Sequence, residues 1–147
     1  RTFNVHLGLN PSFDGAALRR LNPDERSTAA LIRGALEEKQ EAIGHQPVET
    51  SPGVSLYRMG FEATFDRVAR DATVVQLHED GEPLVDAEPP EDPLFVLSDH
   101  HDFADAEADL LDGKADRRVR VGPKRLHADH TITVAHNYLD TDGYERY

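Results

Sequence analysis

Four histidines and their acidic neighbours are the first residues in this chain that could do chemistry. His100 and His101 lie between Asp99 and Asp102, and His127 and His130 bracket Asp129. Imidazoles and carboxylates are ligands for divalent transition metals, and two histidines three apart on a helix could share one ion. This spacing has no glutamate fixed as a base between the histidines, so it matches no metallohydrolase motif. A metal-dependent hydrolase using this His/Asp cluster is therefore the alternative reading, and no metal ligand is assigned. The chain has no cysteine, so it has no thiolate nucleophile, thiolate metal site or disulfide framework. Ser98 lacks the glycines of a nucleophile elbow. No phosphate-binding loop or dinucleotide fingerprint is present either. A second group is basic: Arg19 and Arg20 precede a helix start and Arg26 lies in its first turn. Guanidiniums gathered at a positive helix end are suited to holding a phosphate backbone.

The elements that must position these groups follow from the apolar pattern. Residues 94–97, bounded by Pro93 and by Ser98-Asp99, read as a strand buried on both faces, and residues 102–111 read as the helix after it. The polar loop between them then sits at the carboxyl end of a strand, where open α/β sheets bind ligands. Residues 73–77 and 118–121 read as two further strands, closed by the polar stretch 78–81 and by Gly122-Pro123. Helices or long crossovers separate the three, which is the pattern of a parallel sheet with its site along one edge.

Toward the amino end, Phe3, Val5, Leu7 and Leu9 alternate with polar or small residues as in a strand. A chain that opens inside a strand is expected to be missing an earlier portion. Residues 10–15 read as turns, and residues 16–21 as a second strand or hairpin. Asn22-Pro23-Asp24-Glu25 predicts a helix start with Asn22 as cap, running to about Ile43 with Ala29, Ile32, Leu36 and Ile43 inward. Residues 47–57 read mainly as loop, and residues 60–70 as a helix. The last helix, residues 128–139, is expected to turn Ile132, Val134, Ala135 and Leu139 inward.

A length of 147 residues suits one domain with a real core. The net charge of −12 comes from 28 acidic against 16 basic residues, and only three of the basic residues are lysine. A dense carboxylate surface with little lysine suits a salt-rich cytosol, where the Debye length at about 1 M is only about 3 Å and self-repulsion costs little. Under such screening, local arginine clusters outweigh the total charge in deciding whether nucleic acid binds. No apolar run reaches the length of a membrane span and no signal-peptide pattern opens the chain. The expectation is a soluble cytoplasmic protein with no membrane partner.

One resemblance covers nearly the whole chain in order. The runs 21–28, 51–53, 60–61, 75–81, 95–100, 121–123, 126–130 and 132–140 include Asn22-Pro23-Asp24-Glu25-Arg26, Leu97-Ser98-Asp99-His100 and Val121-Gly122-Pro123. Together they closely resemble the archaeal tRNA pseudouridine N1-methyltransferases of the SPOUT superfamily, in a haloarchaeal form. The resemblance implies a single α/β domain over residues 1–147, with a parallel sheet flanked by helices and a C-terminal trefoil knot. It implies S-adenosylmethionine in the knot, tRNA position 54 in the T arm as substrate, and a homodimer. Carried over by position, Leu77, Ser98, Asp99, Val121, Gly122, Pro123, Leu126 and Thr131 would line the cofactor, with a side chain at Gly122 expected to block it. Many relatives have Gly at Ser98 and Cys at Thr131, and they carry roughly fifty residues before Phe3.

Such a reaction needs a group to accept the N1 proton, and Asp24, Asp99 and His100 are the candidates. Either aspartate could instead serve as a cap. Arg19, Arg20 and Arg26 are the RNA-contact candidates. The homodimer expectation also rests on the last helix, whose apolar residues spread over more than one stripe. A non-catalytic RNA-binding module would share the basic residues and lack the transfer.

Overall fold

The computed structural model describes residues 2–4, 9–19, 22 and 24–147. Its chain divides into two compact units, 1–65 and 66–147. Arg20, and the middle of the predicted strand at Val5 and Leu7, lie outside the described residues.

The first unit contains β1 (Thr2–Asn4), β2 (Asn10–Asp14), α1 (Glu25–Glu37), β3 (Val48–Ser51) and β4 (Val54–Tyr57). The strands form one antiparallel sheet in the order β1-β2-β4-β3. Several expectations are corrected here. Residues 10–14, read as turn, form β2, and residues 16–21 supply no strand among the described residues. Residues 47–57, read as loop, form a hairpin because Ser51-Pro52-Gly53 is its turn: proline suits the first corner, and Gly53 takes the second at a φ of 79°. Val54 and Leu56 then point inward and are fully buried. Helix α1 packs Ala35, Leu31 and Ile32 against Phe13 and Val54. It stops at Glu37 rather than near Ile43, because the next turn offers Lys39 and Gln40 where the apolar stripe would continue. Ala29 is exposed and Ile43 is 69% exposed, so neither belongs to the inward face.

After α2 (Phe61–Val68), which crosses the boundary, the second unit runs β5 (Thr73–Pro83), β6 (Pro93–Val96), α3 (Asp105–Lys114), β7 (Arg117–Arg120) and α4 (Ala128–Asp140). The three strands are parallel, as the crossovers between them predicted, and their order is β6-β5-β7. The centre of the sheet is β5, and β6 is an edge strand, half-buried along its length rather than buried on both faces. Val75, Leu77, Leu84, Val119, Ala135 and Tyr138 form the core. The buried stripe of α4 is Thr131, Ala135 and Tyr138, at helical spacing. Val134 and Leu139 pack beside it, as predicted, while Ile132 is only half-buried. No helix among the described residues is long and apolar enough to cross a membrane.

Candidate functional site

Because β5, β6 and β7 are parallel, their carboxyl ends lie on one side of the sheet, and the loops leaving them meet the start of α4 there. They enclose an open cavity of about 300 Å³, at the small end of ligand pockets.

The first wall comes from an irregularity in β5. Leu77 and Glu82 both register with Val119, so the chain leaves the ladder for the four residues between them and returns. The return needs Gly81, where an added Cβ would lie 2.5 Å from the N, Cα and C atoms of Val119. The detour brings His78 and Glu79 to the cavity. Arg120 fastens it from the neighbouring strand, donating from Nη1 to the Gly81 carbonyl at 2.8 Å.

The second wall follows β6. Leu97, Ser98, Asp99 and His100 line it. Asp99 Oδ1 accepts the His101 N–H at 2.7 Å, which turns the loop and fixes the carboxylate. The third wall follows β7, with Val121, Lys124, Arg125 and Leu126 before His127 and Thr131 at the start of α4. Arg125 joins the second and third walls through an ion pair with Asp102 at 2.5 Å. Apolar Leu77, Leu97, Val121 and Leu126 thus face polar Glu79, Ser98, Asp99 and Lys124. A planar heterocycle with a charged tail fits such a lining.

Leu77, Ser98, Asp99, His100, Val121, Leu126 and Thr131, all singled out from sequence, are brought together here. Gly122 and Pro123 belong to the same loop without lining the cavity. An added Cβ at Gly122 would sit 3.7 Å from the Lys124 carbonyl oxygen and 3.9 Å from Leu126 Cδ1, ordinary contacts, so the loop itself has room for a side chain and the expected block concerns the bound cofactor alone. Glu79, Asp102, Lys124 and Arg125 were not singled out as cofactor contacts. Only pairing between distant loops shows the part of Asp102 and Arg125, although the density of basic residues over 117–125 was a signal.

Of the histidine and aspartate cluster, Asp99, His100 and His101 have ligating atoms within 4.8 Å of one another, all on exposed side chains. The rings of His127 and His130 face each other edge-on at 6.2 Å. These two do not join that group.

Asp24 belongs to the first unit and caps α1, which moves the predicted cap two residues on from Asn22. Its Oδ1 accepts the Ser27 N–H and its Oδ2 the Ser27 hydroxyl, both at 2.8 Å. These bonds hold its carboxyl below the ordinary aspartate value. Arg19 and Arg26 are exposed. Arg26 makes no ion pair among the described residues.

A parallel α/β sheet whose strand-end loops close on one cavity defines a nucleoside- or cofactor-binding α/β protein. Residues 11–144 match the family model described as "Putative SAM-dependent RNA methyltransferase". The chain is 74% identical over 147 residues to the tRNA (pseudouridine(54)-N(1))-methyltransferase of Haloarcula marismortui, and 69% identical over 147 residues to that of Haloferax volcanii. Each alignment covers 97% of this chain and 74% of the relative. The chain belongs to this methyltransferase family. Its fold is similar to the crystal structure of Archaeoglobus fulgidus Nep1 bound to S-adenosylhomocysteine, with a TM-score of 0.60 at 17% identity. That likeness covers 95% of this chain and 57% of the other, so the chain spans somewhat over half of that protein.

Proposed function

We propose that this chain binds S-adenosylmethionine in the cavity at the ends of β5, β6 and β7 and methylates N1 of pseudouridine 54 in tRNA. The observation that carries the reading is the cavity itself, built in one unit of a chain whose family match spans residues 11–144 of both. That span also supports treating residues 1–147 as one methyltransferase domain. The cofactor supplies an electrophilic sulfonium methyl, so neither a metal nor a covalent enzyme intermediate is needed. The work left to the protein is to place N1 in line with that methyl and to take its proton. Asp99 suits the second task, because the His101 N–H is bonded to Oδ1 while Oδ2, 3.9 Å from His100 Nδ1, accepts no hydrogen bond among the described residues. His100, beside it on the cavity wall, is the other candidate. Asp24 has both oxygens engaged by Ser27 and takes the capping role. Arg19, Arg20 and Arg26 would hold tRNA phosphates.

The test is methyl transfer from labelled S-adenosylmethionine to a tRNA carrying pseudouridine at position 54, in high-salt buffer. Asp99→Asn keeps the acceptor for the His101 N–H and should bind S-adenosylhomocysteine as the parent does, yet lose about a hundred-fold or more in rate. If Asp99→Asn and His100→Gln both transfer at the parental rate, neither residue accepts the proton. If the parent binds tRNA without transfer, the chain is a non-catalytic RNA module instead.

The proposal extends to the C-terminal trefoil knot that the resemblance implies, which a crystal structure with S-adenosylhomocysteine would test by showing whether the chain around residues 121–127 threads through a loop. It extends also to a homodimer. Val134 and Leu139 are partly covered by their own core, and half-buried Ile132 is the apolar residue of α4 that does not join it, which makes it the one to offer a partner. Light scattering in high salt should give a dimer for the parent and a folded monomer for Ile132→Asp. A parent that methylates as a monomer removes the dimer.

A further inference from the structure

Three lysine or arginine side chains line the cavity among the described residues: Arg120, Lys124 and Arg125. Two are already engaged. Arg120 donates to the Gly81 carbonyl at 2.8 Å, and Arg125 pairs with Asp102 at 2.5 Å. Lys124 has neither a hydrogen bond nor an ion pair among the described residues, although its loop places it on the cavity wall. The wall also carries two carboxylates with no lysine or arginine partner among the described residues, Glu79 and Asp99, the latter held by the His101 N–H and lying near the His100 and His101 rings. A ligand entering here with a carboxylate of its own is repelled by these two, and Lys124 is the cation with all three N–H donors available to offset that repulsion.

Resting on the cofactor reading above, we propose that Lys124 is the specificity residue for the amino-acid tail of the cofactor and pairs with its carboxylate. The tail carries a carboxylate and an ammonium beside the sulfonium. Lys124 answers the negative charge, while Glu79 lies on the wall available to the positive ones. A nucleoside lacking the carboxylate loses the lysine contact and keeps the rest.

Calorimetry with two probes tests this: S-adenosylhomocysteine and its decarboxylated analogue, which retains the amine. Lys124→Gln should weaken S-adenosylhomocysteine by about three-fold, the size expected of an exposed ion pair, and leave the decarboxylated analogue unchanged. Lys124→Arg should restore the parental preference. The proposal is overturned if Lys124→Gln weakens both probes equally, since the loop has then merely shifted. It is overturned equally if S-adenosylhomocysteine is unaffected while tRNA binding falls, which makes Lys124 a phosphate contact. A parent that binds neither probe overturns the placement of the cofactor, and this assignment with it. A parent that binds both while Lys124→Gln does not discriminate between them refutes the lysine alone.

Discussion

The two units of this chain use strands in opposite ways. In residues 66–147 the strands are parallel, so successive strand ends fall on the same side, and loops distant in sequence (78–81, 98–102 and 121–127) surround one cavity. In residues 1–65 the strands are antiparallel, so successive ends alternate between the two sides and no such gathering follows from the topology. There the chemistry-bearing residues collect at a helix start instead, with Asp24 as cap and Arg26 in the first turn. A parallel sheet therefore makes a site out of strand order, whereas an antiparallel one leaves it to individual caps and turns. The second unit is accordingly where small backbone changes should reach the ligand, and the first is where they should act on stability or on RNA.

The largest effect that would break this comparison is expected at Gly81. A side chain there meets backbone atoms of Val119 at 2.5 Å, and backbone cannot rotate aside. Gly81→Val must part β5 from β7 or undo the detour that carries His78 and Glu79. Overpacking of this kind costs about 3 kcal/mol. Chemical denaturation should show that loss, and calorimetry should show S-adenosylhomocysteine binding gone. Gly122→Ala is the control for stability: its Cβ has room within the protein, and denaturation should match the parent within about 0.5 kcal/mol. Parental stability in Gly81→Val would mean that the detour is not what shapes the wall.

The contrast between the units also accounts for what the sequence disclosed. Residues 73–77, 94–97 and 118–121 announced themselves as strands, because short apolar or alternating runs between breakers have few other folds available. Their common edge followed from the crossovers. That β6 is the edge and β5 the centre was not legible, since strand order is set by packing between distant segments rather than by local pattern. The continuation of β5 to Pro83 was hidden for a similar reason: His78, Glu79 and Asp80 look like loop, and the strand resumes only because Gly81 can lie against Val119. In the first unit Pro52-Gly53 falls in the stretch 47–57 that reads mainly as loop, when it is the corner joining two strands. Asn10-Pro11-Ser12 misled in the same way, because turn residues also occupy strands where a neighbour takes up a side-chain donor, as the Met59 carbonyl does in accepting from Asn10 Nδ2 at 2.6 Å. In the candidate site, the residues that line by backbone position were legible. The Asp102–Arg125 closure was not, because it joins side chains 23 residues apart.

The finest test of the comparison lies at Asp24, where a cap and a proton acceptor make different demands. A cap needs an oxygen to accept the Ser27 N–H, which asparagine provides as well as aspartate does and alanine does not. Asp24→Ala should therefore lower the thermal midpoint modestly, and Asp24→Asn should hardly move it at neutral pH. The acid response separates them further. The Ser27 bonds favour the ionised carboxylate, so its folded value lies below the ordinary 3.8. A carboxyl depressed by folding contributes stability that is fully present above the unfolded value and disappears as the pH falls through the folded one. The margin of the parent over Asp24→Ala should narrow across that window below about pH 4, while Asp24→Asn keeps its margin because it has no proton to gain. If Asp24 is only a cap, Asp24→Asn methylates tRNA at the parental rate. A variant that folds and binds S-adenosylhomocysteine like the parent, yet transfers about a hundred-fold more slowly, would make Asp24 a participant in proton removal. The helix start of the first unit would then belong to the chemistry, and the division of labour between the two units would fail.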